Sequence, residues 1–170
     1  MSAPASRLTP FQSEVLGAFF ERTKGFYLTG GAALAGFHLG HRETHALDLF
    51  TLAGSLNDGV EALRDLARAI GARCEDVRTA PEFRRFVLSR RDDSVVVDLV
   101  VERAPQLVAN KPWVGSIQID PPEEILANKL CALLGRAEIR DLVDVCALEQ
   151  SGLSLEQALA AGRQKDGGLT

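Results

Sequence analysis

Residues Phe26–Thr51 read FYLTGGAALAGFHLGHRETHALDLFT. The pattern predicts a short apolar strand over Phe26–Thr29, a turn at Gly30–Gly31, a helix over Ala32–Gly40 closed by its last glycine, and a second strand over Leu47–Thr51. Gly30 and Gly31 stand where strand passes into helix. Backbone N–H groups exposed at such a turn hold an anion, and the positive end of the helix dipole favours it. Asp48 lies inside the apolar run Leu47–Phe50, where a charge is costly unless it meets a metal or a partner. A phosphate cradle followed by a strand-borne carboxylate is what nucleotide chemistry with a metal ion requires.

Upstream of this stretch, Met1–Thr9 reads as a loose tail. Pro10–Thr23 has helical spacing, with Phe11, Val15, Ala18 and Phe19 on one face and Thr9–Pro10 suited to a cap and first turn. Downstream, Asn57–Ile70 is an amphipathic helix ended by Gly71. The pattern then changes to alternation: Arg73–Arg78, Arg84–Ser89 and Ser94–Glu102 read as strands, with a hairpin turn around Arg91–Asp93. Val95–Val101 is almost wholly apolar, which predicts a central strand covered on both faces. Only Asp98 interrupts it. Arg103–Asp120 reads as irregular. Pro121 and Pro122 open a helix over Glu123–Leu134, followed by helices over Glu138–Leu148 and Leu155–Arg163, the last capped by Ser154. The chain closes on the turn-like KDGGLT.

Sheet first and helices second define an α+β (or three-layer α/β) protein: a mixed β-sheet flanked by helices, with a C-terminal helical segment. The length of 170 residues suits one domain. Residues 1–120 carry the sheet and 121–170 the closing helices.

The composition is that of an ordinary globular chain, with 46% hydrophobic and 25% charged residues. No apolar run approaches the roughly 18 residues that span a bilayer, and MSAPASRLTPF lacks the layout of a secretory signal. Cys74, Cys131 and Cys146 form no CxxC pair and read as buried thiols of a cytoplasmic protein. A net charge of -4 argues against coating nucleic acid. It leaves room for a tRNA bound through a local basic patch, because affinity follows the local field. Arg84, Arg85, Arg90 and Arg91 either form such a patch or simply solvate a hairpin.

Asp48 and Asp98 are the first candidate constellation. Two carboxylates on apolar strands below a Gly-Gly turn suit a shared magnesium ion, which takes oxygen ligands and keeps waters and substrate phosphates for the rest. Lys129, in EEILANKLCALLGR, either snorkels to water or points at nucleotide phosphates. Arg140, Asp141 and Asp144 share a helix, where the default is a surface ion pair of a few tenths of a kcal/mol. A catalytic part for Asp141 or Asp144 requires that they approach the sheet. His38 and His41 make a poor zinc site, since Gly40 ends their helix. Arg42, just beyond it, is the better phosphate contact.

Four segments together resemble the AbiEii-type nucleotidyltransferase toxins of the DNA polymerase β-like superfamily: LTGGAALAGFHLGHRETHALDLF, VVVDLV, ILANKLCALLGR and EIRDLVDVCAL. The resemblance covers nearly the whole chain in order. It implies a nucleotidyltransferase fold and transfer of a nucleoside monophosphate from an NTP to an acceptor, with Mg²⁺. Relatives belong to bacterial toxin–antitoxin and phage-defence systems, and some modify tRNA, so an RNA acceptor and a cognate antitoxin are the implied partners. By this resemblance Gly30 and Gly31 hold phosphates, Asp48 and Asp98 bind magnesium, Lys129 meets the triphosphate, and Asp141 completes the site with Asp144 beside it. The alternatives on the same fold are a non-catalytic nucleotide- or partner-binding relative and a small-molecule nucleotidyltransferase.

Two positions depart from the family pattern. The family carries two aspartates, one residue apart, in the first acidic strand. Here HALDLF has Asp48, with Ala46 in the other place. Residues 46 and 48 of a strand point to the same side, so a two-carboxylate claw has one arm, and alternation turns His45 away. Ala32 likewise stands where a hydroxyl residue often follows the glycines.

Overall fold

The computed structural model describes residues 4–166. The N-terminal three residues and the last four of the KDGGLT ending lie outside the described residues. Thr9 opens the first helix as a full capping box: its side chain accepts from Gln12 N–H, and the Gln12 side chain accepts from Thr9 N–H. That helix, α1 (Pro10–Arg22), runs into strand β1 (Tyr27–Thr29). Ahead of α1 the tail is more anchored than its composition suggests, because Arg7 N–H donates to Ala35 O and Leu8 packs against the core.

The helix after the glycines begins two residues earlier than its apolar spacing indicates. α2 (Gly30–Ala33) starts directly on the glycine pair and continues as a π-helical turn over Leu34–His38. Gly40, at φ +60, closes it as expected. Then come β2 (Ala46–Thr51), α3 (Asn57–Ile70), β3 (Arg73–Ala80), β4 (Phe83–Arg90) and β5 (Asp93–Val101). Arg103–Asp120, irregular by sequence, contains a two-stranded ribbon of β6 (Trp113–Val114) and β7 (Ile117–Gln118). The chain finishes with α4 (Pro122–Gly135), α5 (Ile139–Gln150) and α6 (Leu155–Lys165).

The five main strands form one mixed sheet in the order β1-β2-β5-β4-β3. Only β2 and β5 are parallel; the other neighbours are antiparallel. The core lies on one face, where α1 and α3 pack against the sheet. Leu47, Leu49, Val97, Leu99 and Leu88 have no exposed surface there. Phe19 meets Phe26 edge-on with ring centroids 5.3 Å apart. Gly59 of α3 brings its backbone against the Phe26 ring and Leu99. Burial along β2 alternates strictly, so Ala46, Asp48 and Phe50 face the other way.

β5 is central, as its apolar run predicts, but it is not fully covered on both faces. Val96 and Val100 are half-buried and Val100 lines an open cavity. The thiols are also less buried than expected: Cys146 is exposed, and Cys74 and Cys131 are partly so. No helix among the described residues is long and apolar enough to cross a membrane.

Candidate active site

The uncovered face of the sheet and helix α4 enclose a cavity of about 840 Å³. Strand register assembles its floor. Asp48 of β2 lies opposite Asp98 of β5, Asp98 lies opposite Arg85 of β4, and Asp48 lies opposite Thr29 of β1. Side chains in register on adjacent strands project from the same face, so the two carboxylates predicted from separate apolar runs stand side by side. Both line the cavity with Gly30, Gly31, Arg42 and Lys129.

Asp98 is gripped by Arg85, which donates Nε to Oδ1 at 2.7 Å and Nη2 to Oδ2 at 2.9 Å. Asp48 feels Lys129, Arg140 and Arg136 through their charge rather than through hydrogen bonds. Burial, together with the neighbouring Asp98 charge, pushes its carboxyl up to about 6. Two like charges held next to each other are an arrangement that a divalent cation relieves.

The Gly-Gly turn is shaped by close approach. Gly30 has φ +66, and a Cβ there would strike the Asp48 carboxylate; a Cβ on Gly31 would strike the Arg42 guanidinium. Gly30→Ala therefore meets both a left-handed backbone, costing about 1–2 kcal/mol, and a steric conflict. Urea denaturation of this variant is expected to show a loss of at least about 2 kcal/mol.

The final acidic helix does approach the site, by way of cations. Asp141 and Asp144 have no exposed surface, so they are not the surface pair that is the default for their spacing. Lys129, only 7% exposed, does not snorkel to water. Its Nζ lies 2.9 Å from Asp141 Oδ1 and 3.0 Å from Asp144 Oδ2. Arg136 donates to both oxygens of Asp141. Arg42 donates Nε and Nη2 to the two oxygens of Asp144, each at 2.7 Å, and His41 Nε2 also meets Oδ1 at 2.7 Å. Burial alone raises a carboxyl pKa. Here the Arg42 hydrogen bond and the Lys129 charge overcome it and hold Asp144 far below the usual range. Arg136 and Lys129 likewise hold Asp141 low. Arg140 pairs with Glu138 at 2.7 Å instead.

The histidines part company: His38 Nε2 contacts Asp120 O at 2.7 Å, while His41 joins Asp144. Among the described residues no group of three or more His, Cys, Asp or Glu side chains is placed to hold a metal. His45, expected to point away, borders the cavity, and its carbonyl accepts the Val96 N–H at 3.1 Å where the β2–β5 pairing begins. The four hairpin arginines do not make a basic face. Arg84 pairs with Asp76, Arg85 with Asp98 and Arg90 with Glu14, while Arg91 sits in the turn at φ +57.

A second buried network has no counterpart in the sequence reading. Thr29 Oγ1 donates to Asp120 Oδ2 at 2.7 Å, and Lys111 Nζ lies 2.8 Å from Asp120 Oδ1 and 2.9 Å from Glu124 Oε1. Lys165 closes it on Glu124 Oε2 at 2.6 Å. It ties the strand before the Gly-Gly turn to α4 and α6. The signal available in sequence was a charged residue, Asp120, directly before a helix-opening Pro-Pro pair.

The carboxylate pair, the glycine turn and the neighbouring cations share one cavity, and the fold that carries them is that of a nucleotidyltransferase. The chain belongs to the nucleotidyl transferase AbiEii toxin family, a type IV toxin–antitoxin system, whose sequence model matches residues 15–168. Two solved structures share the fold. JHP933 from Helicobacter pylori is 18% identical with a TM-score of 0.63, over 89% of this chain and 68% of that one. MenT4, a nucleotidyltransferase toxin from Mycobacterium tuberculosis H37Rv, is 16% identical with a TM-score of 0.63, over 89% of this chain and 61% of that one. No curated protein matches.

Proposed function

We propose that this chain transfers a nucleoside monophosphate from an NTP to an RNA acceptor, with tRNA as the acceptor to test first. The observation that carries the reading is the pairing of Asp48 and Asp98 in register beside the Gly30–Gly31 turn. The acceptor hydroxyl oxygen attacks the α-phosphorus, the bond to the bridging oxygen breaks, and pyrophosphate leaves. The hydroxyl proton passes to the Asp98 carboxylate, which Arg85 holds in place. Gly30 and Gly31 leave room for phosphates, and Lys129 and Arg42 attract them. Asp141 and Asp144 act on the nucleotide indirectly, as positioning residues that keep Lys129, Arg136 and Arg42 at the cavity wall.

Magnesium, which the family implies, fits Asp48 and Asp98: they are adjacent hard oxygen donors whose like charges burden each other. Such an ion supplies charge neutralisation at the transferring phosphoryl group. The cavity wall carries six cationic side chains (Arg42, Arg85, Lys129, Arg136, Arg140, Lys165) against four anionic ones (Asp48, Asp98, Glu102, Asp166). Each of the six is paired with a carboxylate, with Asp144, Asp98, Asp141, Asp141, Glu138 and Glu124 in that order, so the RNA acceptor is proposed on the family alone. Residues 1–120 and 121–170 act as one unit, since each supplies part of the wall. In keeping with the family, a cognate antitoxin is the partner that holds the activity in check, and the cytoplasm, where NTPs and tRNA are found, is the place of action.

Ala46 faces the same side of β2 as Asp48 and lines the same cavity. Ala46→Asp restores the missing arm of the claw. With α-labelled NTPs, magnesium and total tRNA, it is expected to raise label transfer about 100-fold or more over the wild type, in line with several kcal/mol of charge stabilisation. Absence of transfer by both proteins overturns the enzyme reading for RNA. Binding of an NTP without turnover in either protein favours the non-catalytic alternative.

A further inference from the structure

The cavity floor has a second row. Two residues along the strands from Thr29, Asp48, Asp98 and Arg85, the register aligns Tyr27, Phe50, Val100 and Phe83. Phe50, Val100 and Phe83 line the cavity and are only half-buried. Phe50 and Phe83 stand one strand spacing, about 4.8 Å, to either side of Val100. The floor is therefore charged at one end and apolar, edged by two aromatic rings, at the other. Beyond the apolar row, Glu102 also lines the cavity. Its Oε1 accepts the Ala104 N–H at 2.8 Å, which fixes the carboxylate at the end of the strand.

We propose that the apolar row is the seat of a nucleobase and that Glu102 selects which base is held there. The inference rests on the reading above that phosphates lie at the Asp48–Asp98 row. Strand β5 acts as the ruler. At a rise of about 3.3 Å per residue, Val100 lies about 7 Å and Glu102 about 13 Å beyond Asp98. A nucleotide with its α-phosphate at the carboxylates reaches along that line, with the ribose between the rows, the base over Val100 between Phe50 and Phe83, and the base edge at Glu102. A base stacks on such a floor whatever its identity. The carboxylate adds choice, because it only accepts hydrogen bonds. Cytosine, adenine and guanine offer it an amino group. Uracil offers one ring N–H flanked by two carbonyl oxygens that repel it. The site therefore disfavours uracil.

Equilibrium binding of ATP, CTP, GTP, UTP and inorganic tripolyphosphate to the full chain with magnesium tests this. UTP is expected to bind weakest of the four nucleotides, at least about ten-fold below the best. Glu102→Gln, which supplies a donor as well as an acceptor, is expected to erase that gap. Phe50→Ala is expected to weaken all four nucleotides about ten-fold and leave tripolyphosphate unchanged. UTP binding as well as the others, or nucleotide affinities unmoved in both variants, overturns the base seat while tripolyphosphate binding still supports the phosphate reading. Base discrimination without any tripolyphosphate binding strikes the phosphate reading and spares the seat. Failure of every ligand to bind overturns both.

Discussion

Lys129→Met is expected to cost the fold about 2–3 kcal/mol, read as a lowered denaturation midpoint. Lys129 is the cation shared by Asp141 and Asp144, at 2.9 and 3.0 Å, and both carboxylates are wholly buried. Methionine fills the same volume without the charge. Asp141 keeps Arg136, and Asp144 keeps Arg42 and His41, but each loses its nearest ammonium. The contrast is Lys129→Met combined with Asp141→Asn and Asp144→Asn. That triple variant leaves Arg136 and Arg42 without their carboxylates and is expected to lose more stability than Lys129→Met alone, because an unpaired charge costs more than an absent pair. If Lys129→Met alone leaves the midpoint unchanged, the cluster is not what holds α5 against α4.

Asp48→Asn is expected to do the opposite to stability and to abolish function. Label transfer falls about 1000-fold, as expected from losing the one acidic group left in the first strand motif. Stability at pH 7.5 rises, by about 1–2 kcal/mol. The carboxyl of Asp48 ionises near 6 in the fold, against a usual value of 3.8. The folded state therefore binds the proton more tightly than the unfolded chain, and it loses stability as pH rises through that window. Asparagine removes the penalty. The gain in melting temperature is thus largest above pH 6, shrinks as pH falls, and vanishes below about 4, where both states of the wild type are protonated. A melting temperature that falls at pH 7.5 contradicts this account of Asp48. Stability that rises while transfer persists contradicts its place in the site.

Most of the architecture was legible along the chain. Thr9–Pro10, the Pro121–Pro122 pair and Ser154 mark helix starts by local chemistry, and Gly40 and Gly71 mark ends through left-handed backbone. The strands show their period, and Asp48 and Asp98 stand out because each interrupts an apolar run. The π turn at Leu34–His38 was not legible, since it is a slip of the hydrogen-bond ladder and not a change of composition. Nor was the ribbon around Trp113, whose strands are two residues each, too short to show a period.

By itself, the sequence determined the order of the main elements, the two lone strand carboxylates, the glycine turn and the alanine at position 46. These are local or periodic properties, written in the identity of each residue and its near neighbours. Only the tertiary structure decided which charges meet. Parallel pairing of β2 with β5 sets Asp48 against Asp98, and packing of α5 against α4 turns Asp141 and Asp144 inward onto Lys129, Arg42 and Arg136. Arg42 and Asp144 are 102 positions apart. No spacing rule links residues at that separation, and they find each other because burying either charge alone costs more than burying the pair.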